Sequence, residues 1–223
     1  MTTAMVGGKK LRVLCLHGFR TSGAIMKDQV LGKWPECLTS NLDLVFLDAP
    51  FPAEGRSDVD GLFPPPYYEW YQFDKEALLY RNFDECLKYV EDYMIEQGTF
   101  DGLIGFSRGG TLSAALAGMQ AKGIALQRVP KLKFVVIIGG GLLLSPDLQE
   151  KAYSAKIESP SLHFIGEMDY LKPQSEELLG SFINPLIVSH PRGHTVPRLG
   201  GTYFFFSSCP TIVFIHLFMF NLS

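Results

Sequence analysis

Six short apolar runs rich in branched residues constrain this chain most: Leu11 to Leu16, Leu42 to Leu47, Leu103 to Phe106, Phe134 to Ile138, Leu162 to Ile165 and Leu186 to Val188. They show little alternation of apolar with polar residues, so they read mostly as strands buried on both faces. Between the second and third runs, Phe83, Leu87, Val90 and Met94 follow one another at spacings of four, three and four. That is one face of a helix, and Gly98 is a suitable stop. The segment after Ser107 carries small residues at Gly109, Gly110, Ser113, Ala114, Ala115, Ala117 and Gly118, which let a further helix lie close to a sheet. Strands alternating with helices predict an α/β fold with a mostly parallel central sheet and helices on both faces. At 223 residues the chain reads as a single domain over residues 1–200, followed by an atypical apolar tail over 201–223.

In such sheets ligands bind beyond the carboxyl ends of the strands, so chemistry is expected in the loops found there. These hold HGFRTSG, DAPFP, SRGG, GGG and GEMD in turn, and the last strand leads into HPRGHTVPR. Ser107 stands in a G-x-S-x-G pattern, a weak signal by itself in a chain with 22 glycines. Its setting adds weight: the run LIGF ends at the serine and a helix-compatible run starts after it, the strand–turn–helix setting of a nucleophile elbow. Gly105 and Gly109 remove side chains that would collide around so sharp a turn.

A serine hydroxyl is a poor nucleophile unless a histidine takes its proton and a carboxylate orients that histidine. In this arrangement both follow the serine in the chain. His163 falls inside an apolar run and reads as core, His190 ends the last strand, His216 lies in the tail, and His17 precedes the serine. His194, in a loop flanked by Gly and Pro just past the last strand, is therefore the expected base. Asp169, directly after the fifth strand, is the expected carboxylate. Glu167 reads as a loop-shaping or solvated charge and Asp147 as a helix N-cap. Backbone N–H groups must hold the negative oxygen of a tetrahedral intermediate. The residue after the nucleophile, Arg108, is expected to provide one and Phe19 the other, with His17 and Gly18 shaping the loop.

Charge and cysteine usage narrow the class. Twenty basic residues against 23 acidic ones give a net charge of −3 with no basic run, so no nucleic-acid partner is expected. Cys15, Cys37, Cys86 and Cys209 contain no C-x-x-C pair, so neither a disulfide framework nor a zinc or other metal site is expected, and a reducing compartment fits. The opening MTTAMVGGKK has no apolar segment of the secretory kind.

Taken together, LCLHGFRTSG, FPPPYYEWYQF, GFSRGG, GEMD and HPRGHTVPRL resemble the FSH-type serine hydrolases, relatives of the ovarian-cancer-associated-gene-2 esterase within the α/β-hydrolase superfamily. The resemblance implies a soluble carboxylic-ester hydrolase acting on small-molecule esters, in some members esters with long alkyl chains, located in the cytoplasm or nucleus and working with no metal or organic cofactor. By motif, Ser107 falls on the family nucleophile, Asp169 on its acid and His194 on its base. A thioesterase or acyltransferase would use the same residues. A non-catalytic binding protein or inactive isoform would keep the same elbow as a relic.

Two segments stand apart from that pattern. DGLFPPPYYEWYQF combines three consecutive prolines with a cluster of aromatics. It reads either as a rigid loop packing its own rings or as an apolar wall near Ser107 built from Tyr67, Tyr68, Trp70 and Tyr71. After Leu199, where the family continues with a polar amphipathic helix, this chain has no Lys, Arg, Asp or Glu, and Phe204, Phe205, Phe206, Phe214, Phe218 and Phe220 stand close together. Three readings fit this tail: a membrane contact, an alternative ending from a different splice or reading of the gene, and an element that the fold buries.

Overall fold

The computed structural model describes residues 10–199. The tail over 201–223, with His216 and Cys209, lies outside the described residues, and so does the opening segment over 1–9.

In chain order the first elements are β1 (Leu11–Leu16), α1 (Gly23–Leu31), α2 (Glu36–Thr39) and β2 (Leu42–Leu47). Four short strands follow: β3 (Phe51–Pro52), β4 (Tyr68–Glu69), β5 (Gln72–Asp74) and β6 (Leu79–Arg81). Then come α3 (Phe83–Gln97), β7 (Gly102–Phe106), α4 (Arg108–Ala121), β8 (Phe134–Ile138) and α5 (Pro146–Tyr153). The last are β9 (Ser161–Gly166), α6 (Lys172–Leu179) and β10 (Leu186–His190). All six apolar runs are strands, and they pair in parallel as one sheet in the order β10-β9-β8-β7-β1-β2.

Each face of this sheet meets its own core, which is why the runs lack alternation. Leu14, Leu16, Leu103, Val135 and Ile137 pack with Val90, Met94, Leu112 and Leu116 from α3 and α4. Val13, Cys15, Ile104, Val136 and Ile138 pack on the other face with Met26, Val30 and Leu38 from α1 and α2. Each such side chain removed from water contributes about 1.5–3 kcal/mol. The buried face of α3 is Phe83, Cys86, Val90 and Met94, with Leu87 partly buried beside them.

The small residues of α4 allow it to press on the sheet. A Cβ on Gly109 would stand 2.0 Å from the Leu16 carbonyl oxygen, and one on Gly105 only 2.2 Å from that of Gly109. One expectation needs correcting: Ser145 is the N-cap of α5, and Asp147 sits inside the first turn. There its charge still favours the helix N-terminus. The segment 51–81, which includes the aromatic run DGLFPPPYYEWYQF, contains two small antiparallel pairs, β3 with β4 and β5 with β6. Strands of two or three residues are too short to show a period.

Strand β1 pairs with β2 on one side and with β7 on the other, so the strand order reverses direction there. The loops after β1 and β7, HGF and SRGG, therefore flank the crevice of a topological switch point. Among the described residues no helix is long and apolar enough to cross a membrane.

Candidate active site

Ser107 occupies the turn between β7 and α4 with φ 55° and ψ −118°, a backbone region that non-glycine residues avoid. Holding it there costs on the order of 1–3 kcal/mol, which the surrounding structure must offset. Two bonds pin the turn: the Ser107 N–H donates to the Ile138 carbonyl at 2.8 Å, and the Thr111 N–H donates to the Ser107 carbonyl at 3.0 Å. The side chain is thereby lifted above the sheet edge.

His194 lies between Ser107 and Asp169. Its Nε2 is 2.8 Å from Ser107 Oγ, and its Nδ1 is 2.8 Å from Asp169 Oδ2 and 3.0 Å from Oδ1. An ionised carboxylate only accepts, so Nδ1 carries the proton and Nε2 is left to accept from the serine hydroxyl. Phe106 stacks on the imidazole at 5.0 Å and Tyr170 covers it at 4.8 Å, between ring centroids. Asp169 is buried, and its Oδ1 also accepts the Leu171 N–H at 2.8 Å.

The loop that carries His194 is held at both ends. On one side the Glu167 N–H donates to the His190 carbonyl at 2.8 Å and the Met168 N–H to the Arg192 carbonyl at 3.2 Å, tying it to the loop of Asp169. On the other, Lys33 Nζ donates to Thr195 Oγ1 at 2.7 Å, the Leu199 N–H donates to the Lys33 carbonyl at 3.0 Å, and Val196 and Leu199 enter the core. Gly139, just past β8, makes room for the pair. Its φ is +55°, and a Cβ there would stand 3.0 Å from Asp169 Oδ2 and 3.1 Å from His194 Nδ1.

The HGF loop faces the serine from across the switch point: a Cβ on Gly18 would lie 3.5 Å from that of Ser107. Neither the Phe19 nor the Arg108 backbone N–H donates to any acceptor among the described residues. Three successive residues of the 51–81 segment clamp this loop. The Tyr68 N–H donates to the Thr21 carbonyl at 2.7 Å, Arg20 Nε donates to the buried Glu69 carboxylate at 2.6 Å, and Trp70 Nε1 donates to the His17 carbonyl at 2.8 Å. His17 is fully buried beneath them. The Ala49 N–H donates to its Nε2 at 3.0 Å, so Nδ1 bears the proton and donates to the Gly18 carbonyl at 2.8 Å. Burial pushes its pKa from 6.5 down to about 4, so it is a neutral structural group.

A cleft of about 270 Å³ opens beside Ser107. Phe19, Tyr71, Phe73, Tyr80, Leu142 and Tyr170 are among its walls. Of the four aromatics expected as a wall, Tyr71 lines the cleft. Trp70 is buried against His17, Tyr68 pairs with Thr21 and Pro52, and Tyr67 donates its hydroxyl to the Phe63 carbonyl at 2.6 Å. Phe73, Tyr80 and Leu142 were not foreseen. The first belongs to the quoted aromatic run, but the other two come from segments that carry no motif. Of the remaining candidates, His163 is buried with Nε2 3.0 Å from Ser161 Oγ, and Glu167 is solvated and pairs with Lys172 at 2.5 Å.

Comparison with known proteins gives this geometry its context. A model of the family described as serine hydrolase (FSH1) matches residues 4–202. An esterase of Anopheles gambiae is 33% identical over 205 residues, which cover 86% of this chain and 73% of the mosquito protein. Esterase OVCA2 of Homo sapiens is 29% identical over 212 residues, covering 86% of this chain and 92% of the human protein. A Schizosaccharomyces pombe protein named dihydrofolate reductase is 32% identical over 207 residues, but the chain spans only 44% of its length.

Among solved structures, the acyl-protein thioesterase 2 of Zea mays superposes with a TM-score of 0.57 at 19% identity, over 96% of this chain and 95% of the maize one. The esterase PE8 gives 0.55 at 21% identity, over 87% and 89%. At such identities the two share the α/β-hydrolase fold with this chain and nothing finer is carried over. The chain therefore belongs to the FSH1 serine hydrolase family, and it is an enzyme of the serine-esterase class.

Proposed function

We infer that the chain hydrolyses carboxylic esters through an acyl-enzyme on Ser107, with His194 as the base, Asp169 as its orienting acid, and the backbone N–H groups of Phe19 and Arg108 as the oxyanion donors. The observation that carries this reading is the position of His194 within 2.8 Å of both Ser107 Oγ and Asp169 Oδ2.

Ser107 Oγ attacks the ester carbonyl carbon while its proton passes to His194 Nε2. Asp169 stabilises the resulting imidazolium without taking its proton. The carbonyl oxygen becomes negative and is held by the amides of Phe19 and Arg108, which have no other partner among the described residues to give up. When the intermediate collapses, the bond from carbon to the alkoxy oxygen breaks, and Nε2 returns the proton to the leaving alcohol. A water molecule then gives a proton to Nε2 and attacks the acyl carbon, releasing the acid and restoring the serine hydroxyl. One ester and one water become one acid and one alcohol. The apolar walls formed by Phe73, Tyr80 and Leu142 suit an alkyl or acyl chain.

Turnover of 4-nitrophenyl esters tests the reading. The chain should release 4-nitrophenol from acyl esters, and Ser107→Ala should lose at least about a thousandfold in kcat while keeping its circular dichroism spectrum. Equal turnover by the two proteins would refute it.

A further inference from the structure

One charged group inside the cleft has no part in the chemistry just described. The Arg108 guanidinium is, among the described residues, the one charged side chain lining the cleft that holds Ser107. Its Cζ lies 3.9 Å from the centre of the Phe19 ring and 5.1 Å from that of Tyr71, and Nη1 donates to the Tyr71 carbonyl at 2.9 Å. These contacts fix the head group in place but leave its charge uncompensated. Among the described residues no carboxylate pairs with Arg108, whereas Arg12, Arg20, Arg56, Arg81 and Arg128 each have one. The buried carboxylates of Asp169 and Glu69 have other partners, His194 and Arg20. An arginine has five N–H donors in a planar fork, and a single backbone carbonyl uses one of them.

We propose that Arg108 selects esters that carry a second, negatively charged group in the acyl part, such as the half-esters of dicarboxylic acids. The proposal rests on the ester-hydrolase reading above and names its substrate class. Ser107 and Arg108 are adjacent in sequence and line the same cleft, so the guanidinium stands in the space open to an acyl chain attached at the serine. A carboxylate arriving there gains a charge-assisted, bidentate contact. It also supplies the counter-charge that the cleft lacks. An ordinary neutral acyl chain meets the same apolar walls but leaves the fork unpaired.

The test compares two esters of matched length, 4-nitrophenyl pentanoate and mono-4-nitrophenyl glutarate, with 4-carboxyphenyl butyrate as a probe bearing its charge on the leaving group. For each, kcat/KM is measured for the natural chain, Arg108→Gln and Arg108→Lys, all of which keep the backbone N–H at 108. Fluorophosphonate labelling of Ser107 is recorded on the same samples. The expected result is that the ratio of glutarate to pentanoate falls about tenfold in Arg108→Gln, is partly restored in Arg108→Lys, and shrinks with added salt. A ratio unchanged by Arg108→Gln in chains that still label at Ser107 would overturn the proposal and leave the esterase reading standing. So would a charge preference for the 4-carboxyphenyl ester alone. Loss of both labelling and turnover in the natural chain would overturn the esterase reading, and this proposal with it.

Discussion

Asp169 holds the His194 ring through both carboxylate oxygens, at 2.8 and 3.0 Å from Nδ1. The same Oδ1 accepts the Leu171 N–H at 2.8 Å, so the carboxylate is itself fixed at the start of the turn into α6. The pair therefore specifies one tautomer of a ring that would otherwise be free to present either nitrogen to Ser107.

Replacing Asp169 by Asn tests that relationship. The amide keeps the shape and can keep the Leu171 contact, but it no longer demands a proton on Nδ1. We expect kcat to fall by about 10⁴-fold with little change in the urea unfolding midpoint. A loss below tenfold would mean that the carboxylate does not set the tautomer.

Gly139→Ala probes the space behind the pair. The added methyl would sit 3.0 Å from Asp169 Oδ2 and 3.1 Å from His194 Nδ1, at a φ of +55°. The backbone conformation alone costs about 1–2 kcal/mol for a residue with a Cβ. Displacing the imidazole from Ser107 should reduce kcat by about a hundredfold, more than the stability loss explains. Full activity in a folded Gly139→Ala chain would show that the close approach is tolerated.

Two buried histidines make stability depend on pH. Burial lowers His17 and His163 from 6.5 to about 4, because the charged imidazolium loses its hydration. In the unfolded chain both take a proton near pH 6.5, so between that pH and about 4 the unfolded state binds more protons and is favoured. The stabilisation is complete above pH 6.5 and fades as pH falls toward 4, by on the order of 3 kcal/mol for each ring. Urea midpoints measured at pH 7.5, 6 and 4.5 should fall in that order, and the two ring resonances should not titrate above pH 5. A flat profile, or rings that titrate near 6.5, would contradict the burial argument.

The strands were legible because a sheet covered on both faces demands uninterrupted apolar runs, and the helix at Phe83–Gln97 because its face repeats at helical spacing. Ser107, Asp169 and His194 could be singled out as an ordered set because each lies in a loop past the end of a strand, and the structure brings the three side chains within hydrogen-bond distance. The role of the aromatic segment was not. Tyr68, Glu69 and Trp70 act on the His17–Thr21 loop through a backbone amide, a buried carboxylate and an indole N–H, contacts across long sequence separations that no local pattern encodes. Removing Arg20 would leave the buried Glu69 carboxylate without its counter-charge, so this clamp is held by more than aromatic packing. Tyr80 and Leu142 reach the cleft by the same tertiary route.

Active-site labelling with a fluorophosphonate, followed by mass spectrometry of the modified peptide, identifies the nucleophile without reference to any substrate. A single adduct is expected on Ser107, absent in Ser107→Ala and strongly slowed in His194→Ala. An adduct on another residue, or no adduct on a folded chain, would contradict it.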